Sequence, residues 1–229
     1  MISVSKRLQA IVDWIDGTIL ADIGCDHAYV AIEAIRQKKV LKAYACDIAQ
    51  GPLNNAKKTI EELGLQDKIE CVLMDGISGL SSEVDFVVIA GMGSKTIETI
   101  LDNGNCTNRT FLLMPHKDED SLRKYCACHH LRIEKERMIH DGNHYYPLMK
   151  VSHDPKSTQS LNQTEIFYGK NMQKDQVFYD FMEKEQKKWS MIYQQMPEDK
   201  SDLTLQRLKA IQSLSKKLIT HHFKTTLLF

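Results

Sequence analysis

Short apolar runs alternate with amphipathic stretches over roughly the first 160 residues. The runs are TILADIG (18–24), KAYACDI (42–48), KIECVLMD (68–75), VDFVVIAG (84–91) and RTFLLMP (109–115). They are rich in Val, Ile, Leu and Phe, and several stop at Asp, Gly or Pro, the pattern of strands buried on both faces. Between them lie helical stretches such as GPLNNAKKTIEELG (51–64), in which Leu53, Ala56, Ile60 and Leu63 share one face. A further helix is predicted to begin near Ser5. Strand–helix alternation of this kind predicts a Rossmann-like, doubly wound α/β fold with a mostly parallel seven-stranded sheet.

The rhythm then changes. LRIEKERMIH (131–140) and NHYYPLMKVS (143–152) flank Asp141-Gly142, a strong hairpin signal, so the sheet should finish with an antiparallel strand at or near its edge. Pro147 argues for a bulge or an unpaired position there. Residues 161–229 have almost no strand character. Phe178, Phe181, Met182, Trp189, Ile192 and Tyr193 repeat at three- and four-residue spacings, and Leu205, Leu208, Ile211, Leu214 and Leu218 do the same after a break at 196–199. Two helices that cannot bury these stripes alone should pack as an antiparallel helical hairpin, a short coiled coil. The chain divides on this reading into an α/β domain, 1–160, and a helical hairpin, 161–229.

Composition narrows the function classes. With 42% hydrophobic and 26% charged residues the chain is neither disordered nor fibrous. Lys plus Arg and Asp plus Glu are both 30, so no global field attracts nucleic acid, and any RNA site must be a local patch. Residues 161–229 carry 11 Lys and Arg against 8 Asp and Glu, a small basic excess compatible with phosphate contacts. The other basic clusters, Arg36 with Lys38, Lys39 and Lys42, and Arg123-Lys124, read as solvated faces. No apolar run approaches the roughly 20 residues that span a bilayer, so a cytoplasmic protein with no membrane partner is expected. Six cysteines without regular spacing should be reduced and partly buried. Cys126-Ala127-Cys128-His129-His130 lacks the C-x-x-C spacing and a second pair, so no metal is expected.

The chemistry lies at the strand ends. The first reads Ala21-Asp22-Ile23-Gly24-Cys25-Asp26-His27-Ala28-Tyr29. Against the dinucleotide fingerprint G-x-G-x-x-G, Asp26 and Tyr29 replace the second and third glycines, and a carboxylate at Asp26 would repel a diphosphate. S-adenosylmethionine carries an ammonium, a sulfonium, a ribose and an adenine but no phosphate. An acidic side chain stands at each of three successive strand ends: Asp22 with Gly24 for the amino acid, Asp47 with Ile48 for the ribose, and Asp75 with Gly76 beside the adenine. All should project from the C-terminal edge of the sheet, where open α/β sheets bind ligands. The fourth strand ends Ala90-Gly91-Met92-Gly93 before Ser94, and these residues should line the transfer site, with Ser94 available as an N-cap. The fifth ends Met114-Pro115-His116, a second wall of the same mouth.

ADIGCDHAYV, ACDIAQGPLNNA, the Asp75-Gly76 pair and IAGMGS, with SKRL near the N-terminus and the C-terminal hairpin, resemble the bacterial tRNA (adenine-22-N1)-methyltransferase family. The likeness covers nearly the whole chain. It implies a class I methyltransferase fold, S-adenosylmethionine as donor and N1 of a tRNA D-arm adenine as acceptor. It also places Lys6 and Arg7 near the mouth, as candidate RNA contacts. The family pattern has a Pro-Asn pair after the fifth strand; this chain has Pro115-His116, and the role of His116 is open.

Adenine N1 has an in-plane lone pair and can attack a methyl group directly, without a metal. A carboxylate that holds the N6 amino group would orient N1 and stabilise the charge that develops. Asp26 is the candidate, with His27 beside it as a polar or stacking group; both are also candidate donor contacts, the alternative for Asp26 being to bind the donor's ammonium and that for His27 to start or cap the helix. The target base should leave its stack to reach the mouth. Rival readings are a methyltransferase for a small molecule or protein, and a non-catalytic RNA-binding protein on the same fold. A monomer is favoured over an oligomer.

Overall fold

The computed structural model describes residues 5–157, 159–196 and 202–226. The strands are β1 (Ile19–Ile23), β2 (Lys42–Asp47), β3 (Ile69–Leu73), β4 (Phe86–Met92), β5 (Thr110–Pro115), β6 (Leu131–Asp141) and β7 (His144–His153). They form one sheet in the order β3-β2-β1-β4-β5-β7-β6. β1 to β5 are parallel, and β7 runs antiparallel between β5 and the edge strand β6. The sheet is therefore the predicted one. The expected bulge, however, sits in β6 between Ile133 and Lys135, not at Pro147. Pro147 pairs with Met138 of β6, and on its other side the pairing with β5 has already ended at Met149. Its missing N–H faces no obligation there.

The helices are α1 (Lys6–Asp13), α2 (Tyr29–Arg36), α3 (Gln50–Glu62), α4 (Ser94–Asp102), α5 (Glu119–Cys128), α6 (Gln163–Tyr168), α7 (Gln176–Gln195) and α8 (Asp202–Thr226). Ser5 caps α1 by accepting from the Leu8 amide at 3.3 Å. Strand residues alternate between two cores, as the two-residue period requires. Leu20, Ala43, Ala45 and Val88 meet Ile11, Ile32 and Leu53 of α1, α2 and α3. Ala21, Ile23, Val87 and Ile89 meet Ile97 and Leu122 of α4 and α5 on the other face.

α7 and α8 are antiparallel. Phe178 lies near Leu214, and Tyr193 near Leu205 and Leu208. The break at Pro197–Asp199, the side chain of Leu218 and the last residues, 227–229, lie outside what is described. The hairpin does not close on itself alone. Phe178 and Met182 pack with Met138 of β6, with Ala210 and Ile211, and with Phe167 and Tyr168 of α6, a short helix the periodicity does not announce. α6 carries a capping box between Asn162 and Glu165.

Arg123, expected on a solvated face, is wholly buried. Its Nε donates to Glu136 Oε2 at 2.7 Å, and its Nη1 donates to the Ile166 and Phe167 carbonyls, each at 3.0 Å. Within the cysteine–histidine run, Cys126 is buried in the α4–α5 core, His129 stacks on Tyr125, and His130 Nδ1 faces the Ser157 carbonyl. All six cysteines are free thiols, and only Cys128 is exposed.

Candidate active site

β1 runs into a tight turn that sets the site. Gly24 (φ +73°), Asp26 (φ +43°) and Ala28 (φ +55°) all lie in left-handed backbone regions. Such strain at non-glycine residues persists only where the surroundings impose it, and functional sites collect it. The Gly24 and Cys25 amides both donate to the Cys46 carbonyl of β2, at 2.8 and 3.2 Å, which pins the turn to the next strand. α2 then begins without a capping side chain on Ala28. The buried Asp22 carboxyl of β1 lies near this start, where the Ala31 amide favours its charged form.

Asp22 is buried, and burial pushes its carboxyl up to about 7; the Ala31 amide opposes this, and the Asp47 charge adds to it. A carboxylate so placed favours a cation beside it. Asp47 ends β2 half-buried, with its Oδ1 accepting from the Ala49 amide at 2.9 Å. It thereby shapes the turn before α3 without being that helix's N-cap, which is Ala49. β3 stops at Leu73, two residues before Asp75, so Asp75 is exposed on a loop. Its carbonyl accepts from the Ser78 hydroxyl at 2.9 Å.

Two cavities open at this edge of the sheet. The first, of about 370 Å³, is lined by Ile23, Gly24, Asp47, Ile48, Met74, Asp75, Gly76, Met92, Lys95, Thr96, Thr99 and Ile100. The second, of about 560 Å³, is lined by Ser5, Arg7, Leu8, Asp22, Gly24, Cys25, Asp26, His27, Tyr29, Val30, Ala90, Gly91, Met92 and His116. Gly24 and Met92 belong to both. At φ +73° Gly24 takes a conformation other residues rarely adopt, and a Cβ there would push the Met92 methyl carbon, 2.2 Å away, out of its place between the two spaces.

Most of the predicted residues thus converge on one edge. Asp47, Ile48, Asp75 and Gly76 face the first cavity, and Asp22, Asp26, His27, Ala90 and Gly91 the second. Gly93 lines neither. It is the N-cap of α4, with the Lys117 chain over it, and Ser94 is the first helical residue instead of the cap, its hydroxyl donating to the Lys117 carbonyl at 2.7 Å. Arg7 lies at the second cavity, but Lys6 lies beside Asp13, Arg137 and His140, in a third cavity against β6. Spacing gave no sign of Thr96 and Thr99, which enter from the first turns of α4, or of Tyr29, whose ring stacks on His27 at 5.3 Å.

A family model for tRNA (adenine(22)-N(1))-methyltransferase matches residues 20–218. The chain belongs to this family. The tRNA (adenine(22)-N(1))-methyltransferase of Bacillus subtilis is 39% identical over 105 residues, which span 45% of this chain and 44% of that enzyme, less than half its length. The structure of the Mycoplasma capricolum family member with S-adenosylhomocysteine superposes with a TM-score of 0.80 at 30% identity, over 92% of this chain and 97% of that one. A Streptococcus pneumoniae protein in complex with S-adenosylmethionine gives 0.81 at 27% identity, over 92% and 99% of the two chains. Membership in the adenine-22-N1 methyltransferase family fits the absence of a phosphate cradle at Asp26 and the acidic strand ends.

Proposed function

We propose that this chain transfers a methyl group from S-adenosylmethionine to N1 of an adenine in tRNA, position 22 of the D-arm. The observation that carries the reading is the convergence of Asp22, Asp47 and Asp75, at or just beyond three neighbouring strand ends, on two cavities that share Gly24 and Met92. When S-adenosylmethionine is bound it supplies an electrophilic methyl: the N1 lone pair forms the new N–CH₃ bond as the S–CH₃ bond breaks, its electron pair staying on sulfur.

The residues fit that donor. Asp22, buried with a carboxyl that lacks a cation, suits the ammonium. Asp47 suits the ribose hydroxyls, and Ile48, Met74 and Ile100 form apolar walls for the adenine beside Asp75 and Gly76. Ala90 and Gly91 line the second cavity, Met92 lines both, and Gly93 fixes the helix start behind them. Asp26 and His27, at the exposed end of the second cavity, face the acceptor. Arg7, and Lys6 on the flank of α1, suit RNA phosphates. Residues 1–160 supply the chemistry, and residues 161–229 form the helical appendage. Among the described residues no helix is long and apolar enough to cross a membrane, and a tRNA substrate points to the cytoplasm.

The test is incubation with radiolabelled donor and unmethylated bacterial tRNA, followed by digestion to nucleosides. Label in 1-methyladenosine is the expected result. Label in another nucleoside, turnover without RNA, or RNA binding with no transfer would each overturn the reading. Calorimetry checks the donor pocket: Asp47→Ala should weaken S-adenosylmethionine binding by about 10- to 100-fold, the loss of a charge-assisted hydrogen-bond pair of roughly 1.5–3 kcal/mol.

A further inference from the structure

We infer that His116 is a catalytic residue of this reaction: its imidazole accepts a hydrogen bond from the N6 amino group of the target adenine and so turns N1 toward the donor. The inference rests on the methyl-transfer reading above and assigns the acceptor side of that site.

The backbone aims His116 there. The β4–β5 register shifts between Ala90 and Met92, so that Met92 pairs with Pro115, and the His116 amide donates to the Met92 carbonyl at 2.9 Å. The extra residue of this bulge is Gly91 on β4, which has no side chain and lies against His116. His116 lines the second cavity, opposite the β1–α2 turn that presents Asp22, Asp26, His27 and Tyr29. Gly91, at φ +82°, faces the imidazole: a Cβ there would be in ordinary contact with His116 Nε2, at 3.8 Å. The imidazole is braced edge-on by Tyr146 at 5.7 Å, which is itself covered by the Arg7 guanidinium at 4.9 Å and flanked by His144 at 6.2 Å.

These neighbours also set its charge. His116 is exposed at the cavity mouth; its partial desolvation first, then Arg7, then His144 hold the imidazole below the usual histidine value of 6.5. A neutral imidazole has one acceptor nitrogen, whereas an imidazolium has only donors. Methylation moves the positive charge from sulfur to the adenine ring, so a neutral acceptor at N6 favours the transition state and a cation there opposes it. N6 carries two hydrogens, so Asp26 and His116 can each accept one.

The experiment measures kcat on tRNA from pH 5 to 9 at saturating donor, which removes the titration of Asp22 in the free enzyme. The wild-type rate should fall in acid with one proton and an apparent pKa below 6.5. His116→Asn keeps an acceptor oxygen, and should hold kcat within about tenfold while losing that limb. His116→Leu should lose about 30-fold or more in kcat at pH 8 with unchanged donor affinity, in the range of one transition-state hydrogen bond. His144→Asn should keep the limb and move it to higher pH, and the His116 imidazole followed by NMR in the free protein should titrate below 6.5. An active enzyme whose His116→Leu variant matches wild type, or whose His116→Asn variant keeps the limb, overturns the His116 assignment alone. A wild type that methylates no adenine overturns the activity reading and this inference with it.

Discussion

Replacing Arg123 by methionine should cost this protein about 3–5 kcal/mol, the usual penalty for leaving one partner of a buried ion pair behind. For a domain of this size that is a fall in Tm of roughly 10 °C. The pair is doing more than neutralising charge. Arg123 ties α5 to Glu136 on β6 and also caps the last carbonyls of α6 at Ile166 and Phe167. Glu136 Oε1 accepts from the Lys170 amide at 2.8 Å, and the Glu136 backbone exchanges hydrogen bonds with Asn171 and Gln173 at 3.0 and 2.7 Å. One ion pair therefore fastens segment 166–173, and with it the helical hairpin, to the edge of the sheet. Denaturant unfolding of Arg123→Met reads the loss. The double variant Arg123→Met, Glu136→Leu should recover much of it, because no buried charge is left alone. A single variant as stable as wild type would show that the contact does not hold the two parts together.

Asp22→Asn should move stability and binding in opposite directions. The folded protein keeps the Asp22 proton to about pH 7, whereas the unfolded chain releases it near 3.8. Between those values the native state binds more protons, so the contribution of this group to stability is full below about pH 4 and is lost as pH rises through about 7. Asparagine stands in for the protonated form and can still accept from the Ala31 amide. At pH 8 the unliganded variant should be more stable than wild type by on the order of 2–4 kcal/mol, and at pH 4 the two should coincide. Its affinity for S-adenosylmethionine should fall by about 100-fold, because the cation loses its buried counter-charge. Thermal unfolding at the two pH values and calorimetry check both halves. A variant no more stable at pH 8 would mean that Asp22 is ionised at no cost in the free protein.

The sheet and most of the residues lining the two cavities were legible because each is written in local pattern. Apolar runs of five to eight residues mark strands buried on both faces, and a right-handed crossover connection leaves little freedom in where consecutive strand ends lie. Acidic residues at those ends therefore predict a shared pocket before any coordinates exist. Gly24 and Asp47 follow from this directly. The position of the bulge does not, because Pro147 is a visible breaker, while the irregularity at Ile133–Lys135 lies where Gln159 and Asn171 bond the Ile133 backbone.

What the chain by itself determined is the mostly parallel sheet, the hairpin that ends it, the two long C-terminal helices and the acidic residues at the strand ends; periodicity and strand-end chemistry suffice for these. Tertiary structure alone decided that Arg123 and Glu136 lie in the interior, that Lys6 and Arg7 part to different cavities, and that His116 turns toward Gly91. A charged residue in a helix or strand reads as solvent-facing until its partner, 13 residues away in the Arg123–Glu136 pair, is folded against it. Adjacent residues on a helix point about 100° apart, and which β4 residue His116 lies against is set by the folded register of β4 and β5.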